Sequence, residues 1–196
     1  MRGRRLGSLS LAMACAIMAA GAVYSLFTQR SGTEVRAAAA AETSLSTEGK
    51  GLGPSGLPVP RFVSLKTDIV NVRRGPSSEH EVAWVFRRKG LPVEIIAEFE
   101  HWRRIRDSEG EEGWVYQSLL AGNRTAIVKP WKKGASIALR SKPETAAAAV
   151  AILKSGVIGE VEQCTGQWCE LTVDGYEGWV DQATLFGVYL GEKLDD

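Results

Sequence analysis

Cys164 and Cys169 are the residues whose spacing says most about covalent chemistry. They flank Thr165-Gly166-Gln167-Trp168. If that quartet turns a hairpin, the two cysteines face each other across an antiparallel pair, within the Cα separation that a disulfide needs. The alternatives are a redox pair or a metal site. The spacing is not C-x-x-C, and no histidine lies near. A structural disulfide is therefore expected, and its short loop makes it worth on the order of 2 kcal/mol. The third cysteine, Cys15, follows Ala12-Met13-Ala14, a poor lipidation sequence, and is read as a small apolar residue. His80 and His101 have no Ser, Cys or Asp at informative spacing. No catalytic residue, cofactor or metal ligand is assigned, and an enzyme is not expected. What remains is non-covalent: Arg73 in a Gly-Pro loop with Asn71, and the aromatics Trp84, Trp102 and Tyr116.

These residues sit on a unit written twice. VNVRRGPS at 70–77, RRKG at 87–90, EFEHWRRI at 98–105 and GWV at 113–115 return as IALRSKPE at 137–144, LKSG at 153–156, CTGQWCEL at 164–171 and GWV at 178–180. Pro76 and Pro143 lie 67 residues apart, Trp102 and Trp168 66, and Trp114 and Trp179 65. Ordered landmarks with so little drift mark a repeat. The expected organisation is a signal peptide or membrane anchor at 1–41, a linker at 42–60, domains at 61–121 and 124–187, and a tail at 188–196. Runs such as PVEIIAEF, broken by Gly and Asp turns, predict short antiparallel strands in a small barrel or sandwich. Within that run Val93, Ile95 and Ala97 are expected inward, with Glu94 and Glu98 outward. The alanine-rich ETAAAAVAIL aligns with a loop and strand of the first copy and is not read as a helix.

Charge is divided along the chain. Residues 1–41 carry five Arg and one Glu, leaving 19 basic and 22 acidic residues for the rest, or −3. A mildly acidic body argues against binding nucleic acid through phosphate contacts. Arg2, Arg4 and Arg5 precede an apolar run at 6–27, diluted by Gly and Ser. That is the pattern of an export signal, although its length also suits an anchor. Either way the body lies outside the inner face of the membrane, in the periplasm, and the inner membrane is touched only through this segment if uncleaved. Residues 42–60, rich in Gly, Ser and Pro, show no apolar period and are expected to form a flexible linker.

The order V-N-V-R-x-G-P-S, K-G, Trp and G-W-V resembles the bacterial SH3 (SH3b) family over about residues 61–187. With C-x-G-x-W-C in the second copy and a closing F-G-V-Y, it is similar to exported two-copy proteins of alphaproteobacteria. The resemblance implies two tandem SH3-like β-barrels, so that with the apolar N-terminal run read as a hydrophobic helix the expected chain is all-β behind that helix. The resemblance also implies a non-catalytic binding or targeting role, often at the cell wall, and a class of function without naming the ligand. Ala138 replaces Asn71 and Lys142 replaces Gly75 in the second copy, so a ligand role for this loop is carried over to the first copy only.

Two readings stand for Arg73. It takes a carboxylate of a ligand, or, since Arg140 repeats it, each Arg braces its own barrel. Trp114 and Trp179 are read as core or hinge aromatics. Trp84 is aligned with Val150, and Phe99, His101 and Tyr116 with Thr165, Gln167 and Asp181. The first copy thus holds aromatics that the second lacks. They line a groove for peptide or sugar, or they are buried between the copies, with Trp131 as an interface plug. Glu98 and Arg103, at the positions of the cysteine pair, are expected to form a cross-strand ion pair. The expected function is recognition of cell-wall peptide or an envelope protein through Arg73, Trp84, Trp102 and Tyr116. The alternatives are an adaptor for proline-rich peptide and a structural spacer on a membrane anchor.

Overall fold

The computed structural model describes residues 51–128 and 133–195, where strands are the regular elements apart from two 3-10 turns. The signal or anchor at 1–41, the first part of the linker and Trp131 lie outside the described residues. A hairpin of β1 (Gly51–Leu52) and β2 (Pro58–Val59) comes first. The first repeat follows as β3 (Arg61–Leu65), β4 (Val70–Arg73), β5 (Val82–Phe86), β6 (Pro92–Phe99), β7 (Trp102–Arg106), β8 (Glu112–Tyr116) and β9 (Leu120–Ala121). The second follows as β10 (Thr125–Val128), β11 (Ser136–Arg140), β12 (Ala149–Lys154), β13 (Ile158–Thr165), β14 (Trp168–Val173), β15 (Tyr176–Asp181) and β16 (Leu185–Phe186), with β17 (Lys193–Leu194) beyond it. Strand order is β5-β4-β8-β7-β6-β3-β9 in one sheet and β12-β11-β15-β14-β13-β10-β16 in the other, so every position corresponds. The alanine-rich stretch ends in β12, as the register with the first copy implied.

Each sheet wraps one apolar cluster. Val63, Leu65, Val70, Val72, Val93, Ile95, Ile105 and Val115 fill the first. Leu139, Leu153, Leu171 and Val180 are central to the second. The inward residues of each G-W-V are its glycine and valine. Trp114 and Trp179 alternate to the other face and are only half-buried, so of the two readings, core or hinge, the core one does not hold. Glycine is needed because the sheet folds closely over itself here. A Cβ at Gly113 would meet Trp84 at 3.0 Å and the Arg73 carbonyl at 3.1 Å, and one at Gly178 would meet the Arg140 carbonyl at 2.6 Å.

The first strand of each repeat is buried on both faces. In β3, Val63 and Leu65 join the core while Phe62 and Ser64 are covered from the other side. In β10, Ala126 and Val128 face the core while Thr125 and Ile127 face the first repeat. Phe62 packs edge-on against Phe186 (centroids 5.1 Å apart, 83° between planes) and against Tyr189 (4.7 Å). The Tyr189 hydroxyl donates to Glu94 at 3.0 Å, and the Thr125 hydroxyl donates to the Gly90 carbonyl at 2.8 Å. Burial first, then the Glu94 charge, raises the Tyr189 pKa, so the phenol stays protonated as a donor. Gly187, at φ +124°, has no room for a Cβ between the Thr125 carbonyl and Pro92. Phe186-Gly187-Val188-Tyr189 is thus the joint between repeats. The segment expected as a tail is folded: Val188 lies in the second core and β17 adds to β13.

Glu94 and Glu98 do not point to water. Glu94 is buried beneath Tyr189. A β-bulge between Ile95 and Ala97 reverses the alternation, so Ala97 pairs with exposed Arg104 and Glu98 with buried Arg103. The Glu98 side chain is 1% exposed. Its carboxylate takes the Ser55 amide and hydroxyl and Arg61 at 2.8 Å each, and Arg103 Nε at 3.1 Å. Ser55 lies in the β1–β2 turn. Residues 51–59 are therefore a hairpin clamped onto the first barrel, where linker was expected, because a buried carboxylate needs the donors it supplies.

The second copy repeats the bulge between Val161 and Gln163 and the pairing of Cys164 with Cys169. Here a disulfide joins the two residues, whose Cα atoms are 4.1 Å apart. One hairpin is thus closed by charge and the other by a covalent bond. Burial alone would raise the Glu98 pKa, but the Ser55 amide, Arg61, the Ser55 hydroxyl and Arg103 outweigh it, and the value falls below 4.5. The stabilisation is present above the unfolded-state value and is lost as pH falls through the lower folded-state value. Glu98→Gln should cost about 3 kcal/mol at neutral pH by leaving Arg103 uncompensated. In denaturant titrations, the gap to wild type should narrow below about pH 4.5. A gap that does not change with pH would contradict this.

Candidate functional site

The β7–β8 ladder sets Trp102 directly opposite Tyr116, and the rings meet edge to face at 5.4 Å and 85°. The His101 ring lies 5.9 Å from Tyr116. Around this pair the β4–β5 loop brings Pro76, Ser77 and Ser78, β4 brings Asn71 and Arg73, the β6–β7 turn brings Glu100, and the 3-10 turn Gln117–Leu119 brings Leu119. They enclose an open groove of about 510 Å³.

The groove is held from below by the buried charge cluster. Arg103, fixed by Glu98, donates through Nη1 to the Glu100 and Trp102 carbonyls, both at 2.9 Å, and through Nη2 to Gln117 Oε1 at 2.7 Å. Gln117 in turn donates its backbone N–H to the His101 carbonyl at 2.9 Å, and its side chain lies 3.0 Å from His101 Nδ1. The turn that presents Glu100 and Trp102 is thus tied to the turn that presents Leu119. A guanidinium and a carboxylate share the groove, with hydroxyls and aromatic edges between them. Such a surface suits a short polar peptide bearing both charges.

Arg73 donates to the His80 carbonyl at 2.6 Å, and Arg140 donates to the Ala147 carbonyl at 2.7 Å. Each Arg braces its own loop, and Arg73 lines the groove as well. The second copy has a concavity at the same place, of about 270 Å³, lined by Ala138, Arg140, Trp168 and Asp181 among others. It lacks the tyrosine, and Trp168 is buried. There Gln182, the counterpart of Gln117, is taken by the C-terminal segment, donating to the Glu192 carbonyl and accepting from the Gly191 N–H.

Trp84 does not join this groove. It pairs with Val72, packs edge-on against Phe86 at 6.1 Å, and rests on the first core cluster. It opens instead onto a separate hollow at the junction, with Leu91, Pro92 and Ile127. Its structural counterpart is Ala151, because Val72 and Leu139 correspond and pair with Trp84 and Ala151. The 67-residue offset persists through β5 and drops to 66 only in the following loop, so alignment with Val150 was one residue early. Of the four residues expected to bind, the fold therefore gathers Arg73, Trp102 and Tyr116 and separates Trp84. Sequence reasoning missed Glu100, Ser77, Ser78 and Leu119. The serines follow Pro76 directly and were legible as loop; Glu100 and Leu119 carried no signal of their own.

The family described as bacterial SH3 domain matches the chain twice, over residues 66–122 and 133–187. No curated protein matches it. Among solved structures, NlpC2 and NlpC1 of Trichomonas vaginalis align at 12% and 13% identity, each with a TM-score of 0.30 over 65% of this chain. The chain spans about half the length of each, 48% and 45%.

Trp84 packs against Phe86 and the first core cluster. Truncation should cost about 3 kcal/mol in equilibrium unfolding. Tyr116, 39% exposed, should lose about 1 kcal/mol or less on change to alanine, through the ring contact with Trp102. Equal losses at the two positions would refute this division.

Proposed function

The chain belongs to the bacterial SH3 family, and from that premise we propose that it is a non-catalytic, exported binding module that recognises cell-wall peptide through the first barrel. The observation that carries this reading is the half-buried Trp102 set against exposed Tyr116, beside Arg73 and Glu100, a pair present in the first copy and missing from the second. Wall peptide stems present free carboxylates and amines on a short, mostly small-side-chain backbone. Arg73 takes a carboxylate, Glu100 takes an amine, and the aromatic edges cover the chain between them. The second barrel, with its disulfide and its concavity narrowed, serves as scaffold. Export to the periplasm through the N-terminal segment places the module beside its ligand.

The test is a pull-down of the protein with purified cell-wall sacculi. Wild type should bind, and Tyr116→Ala should lower affinity about tenfold, the loss of one stacked aromatic anchor, without a matching loss of stability. Binding unaffected by Tyr116→Ala and by Glu100→Gln would remove the groove from the proposal. Failure of wild type to bind sacculi, with capture of a proline-rich peptide instead, would favour the adaptor reading.

A further inference from the structure

The hollow beside Trp84 is distinct from the groove at Trp102. Its floor is apolar: Trp84 and Phe86 set edge to face, with Leu91, Pro92 and, from the second repeat, Ile127. Its volume is about 510 Å³, enough for one large side chain and the backbone on either side of it. Its rim is the β7–β8 turn, which contributes Asp107, Glu109 and Glu111. Asp107 accepts the Glu109 and Glu111 amides at 2.9 and 3.0 Å, which fixes the turn. Glu109 and Glu111 are exposed and form no ion pair among the described residues, whereas neighbouring Glu112 is held by Arg104 and Arg106 at 2.8 and 2.9 Å. No basic side chain lines the hollow among the described residues. Position 84 is Ala151 in the second repeat, so this aromatic wall belongs to the first repeat alone.

We propose that this hollow is a second docking site, for a segment of a protein partner that seats an apolar side chain on Trp84 and Phe86 and sets lysine or arginine against Glu109 and Glu111. An apolar floor beneath an acidic rim that no described side chain compensates complements a basic, apolar peptide in both respects. The floor is too apolar for the small and polar side chains of wall peptide, which separates this site from the groove. Because Ile127 supplies part of the floor, the site exists only when the two repeats are docked.

The Trp84 indole Nε1–H is buried without an acceptor among the described residues, and it gives a local reporter. In 15N-labelled full chain, the Trp84 indole resonance is assigned by its disappearance in Trp84→Phe. The probe is the capped tetrapeptide Leu-Lys-Leu-Lys, with Leu-Glu-Leu-Glu as control. The lysine peptide should shift this resonance and the glutamate peptide should not. Glu109→Gln with Glu111→Gln, on an exposed turn, should weaken binding about three- to tenfold, as for exposed ion pairs, while Tyr116→Ala leaves it unchanged. No shift at millimolar peptide, or an equal shift with the control, would overturn the proposal. So would a response that appears only in Trp131→Ala, which would assign the hollow to the chain's own residues 129–132. Loss of sacculus binding in the double glutamine variant would assign it to the wall and equally overturn the partner reading.

Discussion

A strand covered on both faces cannot show the polar alternation of a surface strand, and two such strands hold this molecule together. Phe62–Leu65 and Thr125–Val128 each give alternate side chains to their own core and the rest to the other repeat. A repeat of about 60 residues builds a marginal core by itself. Docking the two first strands adds apolar burial that neither barrel has alone. The Phe186–Tyr189 segment closes the joint, with two aromatic rings against Phe62 and one hydrogen bond to Glu94. The junction hollow and its Trp84 wall are consequences of that docking.

The same β-bulge serves both repeats, turning the following residue inward where alternation would turn it out. What then fills the inward pair is opposite in chemistry. In the first repeat it is Glu98 and Arg103, which demand further donors and acceptors and so recruit Ser55, Arg61, Gln117 and the turn around Trp102. In the second it is a disulfide, which makes no polar demand and joins the apolar core. The ionic solution costs desolvation but organises its surroundings. It is therefore the first repeat whose turn is presented as part of the larger groove, while in the second the glutamine at the equivalent position bonds the C-terminal segment.

The two concavities of the first repeat have different origins. The groove at Trp102 and Tyr116 lies within one barrel, and a smaller version recurs in the second. The hollow at Trp84 borrows Ile127 and has no such counterpart wall. Aromatic residues that the second repeat lacks are thus divided between two surfaces, although in sequence they formed one set.

Much of the fold was legible in the chain. Repeated landmarks announced two copies, the turn residues announced strands, and the spacing of Cys164 and Cys169 announced their bond, because each signal is local and recurs at a fixed offset. The pairing of Glu98 with Arg103 was also legible, from its place opposite the cysteines. Its burial was not, because a bulge leaves no mark in a sequence and reverses every side chain beyond it. The Gly- and Ser-rich run at 51–59 looked like linker, because its order comes from a carboxylate more than 40 residues away in the chain. Trp84 was grouped with Trp102 and Tyr116 by type, and only the path of the sheet decided that they face different spaces. Sequence by itself determined the local hydrogen-bonding pattern and the repeat. Tertiary structure decided which polar groups are buried and which aromatics meet, because both depend on contacts between segments distant in the chain.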